Sequence, residues 1–93
     1  MSARFLDSRF SRDDCYSLGR DRELDCFYLS IPVSNPHVDY EEYYRLSDAE
    51  FELLMRDFGA ARRFADRCRN REMDDRLIIQ PGEIRPVPLW PTR

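Results

Sequence analysis

Lysine is absent: all fifteen basic residues are arginine, set against eleven aspartates and seven glutamates for a net charge of −3. The plainer reading of an all-arginine set is base composition in a high-GC bacterial gene. The alternative is selection for planar guanidinium forks, which grip carboxylate or phosphate through two bonds at once. Mild net acidity argues against neutralising phosphates as the main work, although it leaves room for a local basic face. Histidine occurs once, at His37, which excludes any chemistry that needs two imidazoles. Glycine occurs only at Gly19, Gly59 and Gly82, so no phosphate-cradling loop is encoded. Cysteine is scarce and odd in number. Cys15, Cys26 and Cys68 are separated by long, unequal gaps with no Cys-x-x-Cys, which signals neither a disulfide framework nor a zinc site. Reduced, mostly buried thiols are expected.

Long apolar runs are also missing. The longest are Cys26–Leu29 and Leu77–Ile79, far short of the roughly 18 to 20 residues of a membrane-spanning helix. The N-terminus reaches Arg4 and Asp7 before any continuous apolar stretch, so no secretory signal is expected and the chain is read as cytoplasmic. At 93 residues, 42% hydrophobic and 35% charged, the composition fits one globular domain spanning 1–93.

Along the chain, residues 1–20 scatter Phe5, Leu6, Phe10, Tyr16 and Leu18 among charges and read as a poorly defined segment, a short strand or turn plus loop. Leu24–Val33 is rich in aromatic and branched residues and is the best strand, ended or placed at a sheet edge by Pro32. Asn35–Tyr44 reads as a loop by its turn residues. Ser47-Asp48-Ala49-Glu50 then matches a capping box, with Leu46 and Phe51 placed as a staple. Phe51, Leu54, Met55 and Phe58 follow at helical spacing as a buried stripe, and Gly59 supplies the stop.

A second helix is expected over 60–71, with Ala61, Phe64, Ala65 and Cys68 inward and Arg62, Arg63, Arg67, Arg69 and Arg71 outward or on the flanks. Leu77–Ile79 reads as a short buried strand stopped by Pro81-Gly82. Residues 83–93, crowded with proline, read as an extended tail, pinned if Trp90 finds a pocket. The expected fold is α+β, a small antiparallel sheet against a pair of helices with a Pro-rich C-terminal tail.

Two constellations invite a functional reading. Asp39-Tyr40-Glu41-Glu42-Tyr43-Tyr44 packs three carboxylates and three tyrosines into six residues. Tyrosine gives large contact area for two torsions, and carboxylates accept from arginine and lysine, so the group suits an interface with a basic partner. It suits equally a set of core tyrosines flanked by solvated acids. The five arginines of 62–71 would lie along phosphates if they formed one face. Solvation or pairing with the acidic block is the simpler account, and nucleic acid is disfavoured as a partner. A Cys–His dyad would have to use His37 from a Pro-flanked loop, and no spacing singles out a carboxylate pair among eighteen acids. No catalytic residue, metal ligand or cofactor is assigned.

The strand ending in Ile31-Pro32-Val33-Ser34-Asn35-Pro36, then Val38-Asp39-Tyr40-Glu41-Glu42-Tyr43-Tyr44, a capped helix, Cys68-Arg69 and Asp74-Asp75-Arg76-Leu77-Ile78 together resemble the small acidic immunity proteins encoded beside bacterial polymorphic or secreted toxins. The likeness covers roughly residues 24–82. It implies a non-enzymatic cytosolic inhibitor that covers the active site of a cognate toxin, whose face would be basic, with Glu42, Tyr43 and Tyr44 as anchors. The alternatives are a small nucleic-acid-associated regulator using the arginine helix, or an accessory subunit of a larger assembly.

Overall fold

The computed structural model describes residues 3–37 and 39–91. Met1, Ser2, Val38, Thr92 and Arg93 lie outside the described residues, and with them the start of the N-terminal segment, the valine before the acidic–aromatic stretch and the end of the tail. The fold is α+β, as the composition and patterning predict. Four antiparallel strands, β1 (Phe5–Ser11), β2 (Tyr16–Asp21), β3 (Cys26–Ser34) and β4 (Asp39–Leu46), form a meander in the order β1-β2-β3-β4. Helices α1 (Asp48–Arg56) and α2 (Phe58–Arg69) follow, then a 3-10 turn (Asp74–Arg76) and a two-residue strand β5 (Val87–Pro88).

The core lies between one sheet face and the helices. Period-2 alternation sends Leu29, Ile31 and Val33 of β3 to that face, beside Leu18 of β2 and Tyr44 and Leu46 of β4. Leu54, Ala61, Ala65 and Cys68 meet them from the helices. On α2 the buried residues at i, i+4 and i+7 are small, which lets this helix approach the strands closely. Phe27 of β3 stacks on Phe51 of α1, centroids 4.1 Å apart, closing the end nearest the capping box.

Local chemistry explains the element ends. The capping box forms as its spacing predicts: Glu50 N–H donates to Ser47 Oγ at 3.1 Å and Ser47 N–H to Glu50 Oε1 at 2.9 Å. Asp57, rather than Gly59, separates the helices. Its backbone is extended, it closes α1 through a bond to Leu53 O, and its carboxylate accepts from Ala60 N–H at 3.0 Å to cap α2. Gly59 is helical within the first turn of α2, and Phe58 is therefore outside the predicted stripe, at 62% exposure. Helix α2 ends at Arg69. Arg71 follows at φ 61° and donates to Cys68 O while Glu72 donates to Arg67 O, a Schellman stop with arginine where glycine is usual.

Three further expectations are corrected. Residues 3–20 are ordered into β1 and most of β2, because Phe5 and Leu18 find partners only across the sheet. Residues 39–44 are strand, since tyrosine favours a pleated surface and β3 offers the full ladder from Phe27↔Leu46 to Ser34↔Asp39. Leu77–Ile79 makes only an isolated bridge, Tyr44↔Leu77, with Ile79 at 50% exposure. Strand β5 pairs with Val33 and Ser34, beyond the point where β2 stops at Ser17↔Ser30, so the tail occupies the edge of β3 that β2 leaves free.

Candidate functional site

Strand alternation splits the acidic–aromatic stretch between two faces. Glu42 and Tyr44 point to the helices, at 4% and 0% exposure. The Tyr44 hydroxyl lies 3.1 Å from Glu42 Oε1 and 3.4 Å from Cys68 O, and burial, reinforced by Glu42, pushes its pKa far above the ordinary tyrosine value. Arg85 from the tail reaches Glu42 at 3.3 Å and Asp74 at 2.5 and 2.8 Å. That guanidinium holds the Asp74 carboxyl below its ordinary range and is itself held protonated more firmly than a free arginine. Two of the three expected anchors are thus interior groups, satisfied by the chain's own residues. Tyr40 lies on the same side but at the strand's end, 37% exposed.

The opposite face carries Asp39, Glu41 and Tyr43, in register with Ser34, Pro32 and Ser30. Ser34 Oγ donates to Asp39 at 2.6 Å and Ser30 Oγ to Glu41 at 2.9 Å. Strand β1 curls over this face. Phe5 stacks on Tyr43 at 3.7 Å and meets Tyr28 edge-on at 5.5 Å, although β1 and β4 are the first and last strands of the meander. The covered Tyr28 is fully buried and donates to Asp7 at 2.5 Å. Gly19 permits the curl: a Cβ there would collide with Leu6 O and stand 2.5 Å from the Tyr28 hydroxyl. Desolvation, then Glu41 and Asp7, raise the Tyr43 pKa to about 12. Among the described residues Asp7, Asp39 and Glu41 bond to hydroxyls and pair with no arginine. The face therefore presents aromatic rings beside carboxylates that are in no ion pair, with the Arg4 guanidinium 4.9 Å from the Phe5 ring.

The arginine stretch does not form one face. Arg62, Arg63 and Arg67 are exposed, with Arg62 3.9 Å from Asp14 and Arg67 3.7 Å from Glu72. Arg69, expected outside, is 3% exposed: it pairs with Asp66 at 2.6 Å and donates to the carbonyls of Asp14 and Cys15. It ties α2 to the β1–β2 turn. Arg71 donates to Pro86 O at 3.2 Å.

Nothing brings His37 to a thiol: it sits in an exposed turn where Asn35 accepts from its N–H, while Cys26 and Cys68 are buried. Among the described residues no group of three or more His, Cys, Asp or Glu is placed to hold a metal, and no helix is long and apolar enough to cross a membrane. An open depression of about 710 Å³ lies between Leu24, Cys26, Arg45, Asp48, Arg76 and Ile78, mixed in charge.

Sequence reasoning missed Asp7 and Phe5, which meet Tyr28 through the curl of β1, Gly19, which faces Tyr28 across the β2–β3 pairing, and Arg85. Arg85 did leave a signal, as the one cation in the apolar, proline-rich stretch from Leu77 to Trp90. Comparison of the chain with protein-family models, with curated proteins and with solved structures finds no match to any of them.

Proposed function

We propose that this chain is a non-enzymatic, immunity-type binding protein of a bacterial cytoplasm that neutralises a cognate toxin domain by covering its active site. The observation that supports this reading is the curled sheet face, where Asp7, Asp39 and Glu41 stand beside Phe5 and Tyr43 with no arginine to neutralise them. Arginines take up Asp21, Glu42, Glu50, Asp66 and Asp74, whereas these three carboxylates bond to hydroxyls. Enzymes that act on phosphates carry basic clefts, and a negative face with rigid aromatic edges complements such a cleft. The carboxylates would steer encounter, and the folded strands would exclude substrate by bulk.

Relative to the residues expected from the sequence, the binding set contracts to Asp39, Glu41 and Tyr43, joined by Asp7, and Tyr40 drops out because it lies on the helix side of the sheet. Glu42 and Tyr44 support the strand from beneath. The test is co-expression with the product of the adjacent gene, followed by affinity capture and mass spectrometry. One stoichiometric toxin domain is expected, its capture weakened at least tenfold by the triple change Asp7→Asn, Asp39→Asn, Glu41→Gln and by added salt. Capture that is indifferent to both changes would remove this face from the reading. Capture of nucleic acid alone, lost on replacing Arg62, Arg63 and Arg67, would replace the reading altogether.

A further inference from the structure

The C-terminal tail is fastened in an unusual way. Its backbone attachment is β5, two residues long, with Leu89 N–H donating to Pro32 O at 3.1 Å. Within a strand the N–H and C=O of one residue face the same neighbour, so Pro32, whose carbonyl faces the tail, has no N–H to return that bond. Pro86 and Pro88 are buried, but Ile84, Val87, Leu89 and Trp90 are 61%, 65%, 44% and 50% exposed. Four large apolar side chains in seven residues therefore add little to holding the tail down. The firm anchor is Arg85, inserted between Glu42 and Asp74, with Arg71 on Pro86 O and the Arg69 guanidinium 5.5 Å from the Trp90 ring as lesser ties.

We infer that the tail is a displaceable strap, and that the site beneath it, the β3 edge at Pro32–Ser34 with the carboxylates of Glu42 and Asp74, docks an extended, arginine-bearing segment of a partner protein. The strap itself displays the chemistry of the occupant: a guanidinium for the acid pair, and a strand whose N–H meets Pro32 O. Glu42 is 4% exposed with the Arg85 guanidinium 3.3 Å away, and a carboxylate so buried calls for a cation beside it. Two carboxylates face the Arg85 guanidinium, and Arg71, bonded to Pro86 O, acts on Asp74 from farther off. Pro86 and Pro88 sit where their missing N–H groups face the outer edge of β5, so strand addition is blocked outside the strap and directed beneath it. A tethered strap competes at an effective concentration on the order of millimolar, so a partner must bind the open site more tightly than the strap by the ratio of that concentration to its own. This site borders the curled face at Pro32 and Ser34 but uses their free backbone edge, and the inference stands whether or not the toxin-inhibitor reading does.

The experiment uses full-length chains and, as probe, a fluorescein-labelled peptide of residues 83–91. Anisotropy titrations would compare the parent chain, the Arg85→Ala chain, and a chain with Ser34→Cys and Val87→Cys oxidised to lock the paired positions. The Arg85→Ala chain is expected to bind at least tenfold more tightly than the parent, the locked chain not at all until reduced, and a probe carrying the same Arg85→Ala change to bind neither. If Arg85→Ala lacks native circular dichroism, Leu89→Pro, which removes the N–H to Pro32 and leaves Arg85 in place, is used with the same expectations. A folded, strap-weakened chain that binds no probe overturns the inference, as does equal binding to the locked chain. Amide exchange of Val87 and Leu89 far faster than that of Tyr44 supports strap opening; exchange only with global unfolding overturns it. A concentration-dependent dimer of Arg85→Ala would overturn the assignment to a foreign partner in favour of strap exchange between copies.

Discussion

Replacing Gly19 with alanine adds one methyl group to a position where three strands and a tyrosine converge. Its Cβ would meet Leu6 O, a backbone atom of the neighbouring strand, together with the Tyr28 hydroxyl at 2.5 Å and ring carbon Cζ at 2.8 Å. The tyrosine is fully buried and cannot swing aside, so β1 must lift. Lifting it breaks the Tyr28 to Asp7 bond at 2.5 Å and the Phe5–Tyr43 stack at 3.7 Å. A hydrogen bond to a charged acceptor is worth about 1.5 to 3 kcal/mol. An aromatic pair adds about 0.5 to 1.5 kcal/mol, and residual overpacking costs about 1 kcal/mol or more. The expected loss is therefore about 3 to 5 kcal/mol, against a total stability on the order of 5 to 14 kcal/mol for a chain of this length. Urea unfolding followed by far-ultraviolet circular dichroism measures it. Tyr28→Phe in the same background separates the causes: it relieves the hydroxyl clash but not the one with Leu6 O, so it should recover less than half of the loss. A Gly19→Ala cost below about 1 kcal/mol would refute the claim that β1 is held over this face by close packing at Gly19.

Two further perturbations test other joints of the fold. Arg69→Ala removes the group that satisfies Asp66 and the carbonyls of Asp14 and Cys15, and should cost about 2 to 4 kcal/mol, with Arg69→Lys recovering only part because an ammonium cannot span that fork. Equal stability of Arg69→Ala and parent in urea melts would return Arg69 to a solvated role. Stability should also fall at both ends of the pH scale. Asp21, Glu50 and Asp74 have lowered pKa values, through hydrogen bonds from Arg4, Arg76 and Arg85 respectively, so their contribution is complete above the ordinary carboxylate range and drains away as pH drops through the lowered values. Tyr43 titrates in the opposite sense: with its pKa raised by burial to about 12, its contribution is complete below about pH 10 and is lost between there and 12. A urea midpoint that rises on acidification from about pH 5 to 3 would contradict the carboxylate assignments.

Some of this architecture is written locally. The capping box needs only Ser47 and Glu50 three residues apart, and the apolar, branched run of β3 announces a strand wherever it is placed, because both signals arise within a few residues. Small residues at 61, 65 and 68 likewise mark one face of a helix by period alone. The site was less legible. Asp39–Tyr44 shows no alternation of acid and aromatic, so which tyrosine is core and which is surface follows only from the β3–β4 register, which sets Tyr44 opposite Leu29 and Tyr43 opposite Ser30. A slip of one residue would exchange them.

By itself, then, the sequence determined the α+β class, the cap of α1, the strand β3 and an acidic surplus, each a matter of composition or short-range spacing. Only the tertiary structure decided where that surplus is exposed. Arg69 finds the turn carbonyls at a separation of more than fifty residues, Arg85 finds Glu42 at more than forty, and Phe5 reaches Tyr43 because Gly19 lets β1 curl. Such pairings depend on chain closure over long loops, and no window of neighbouring residues carries them.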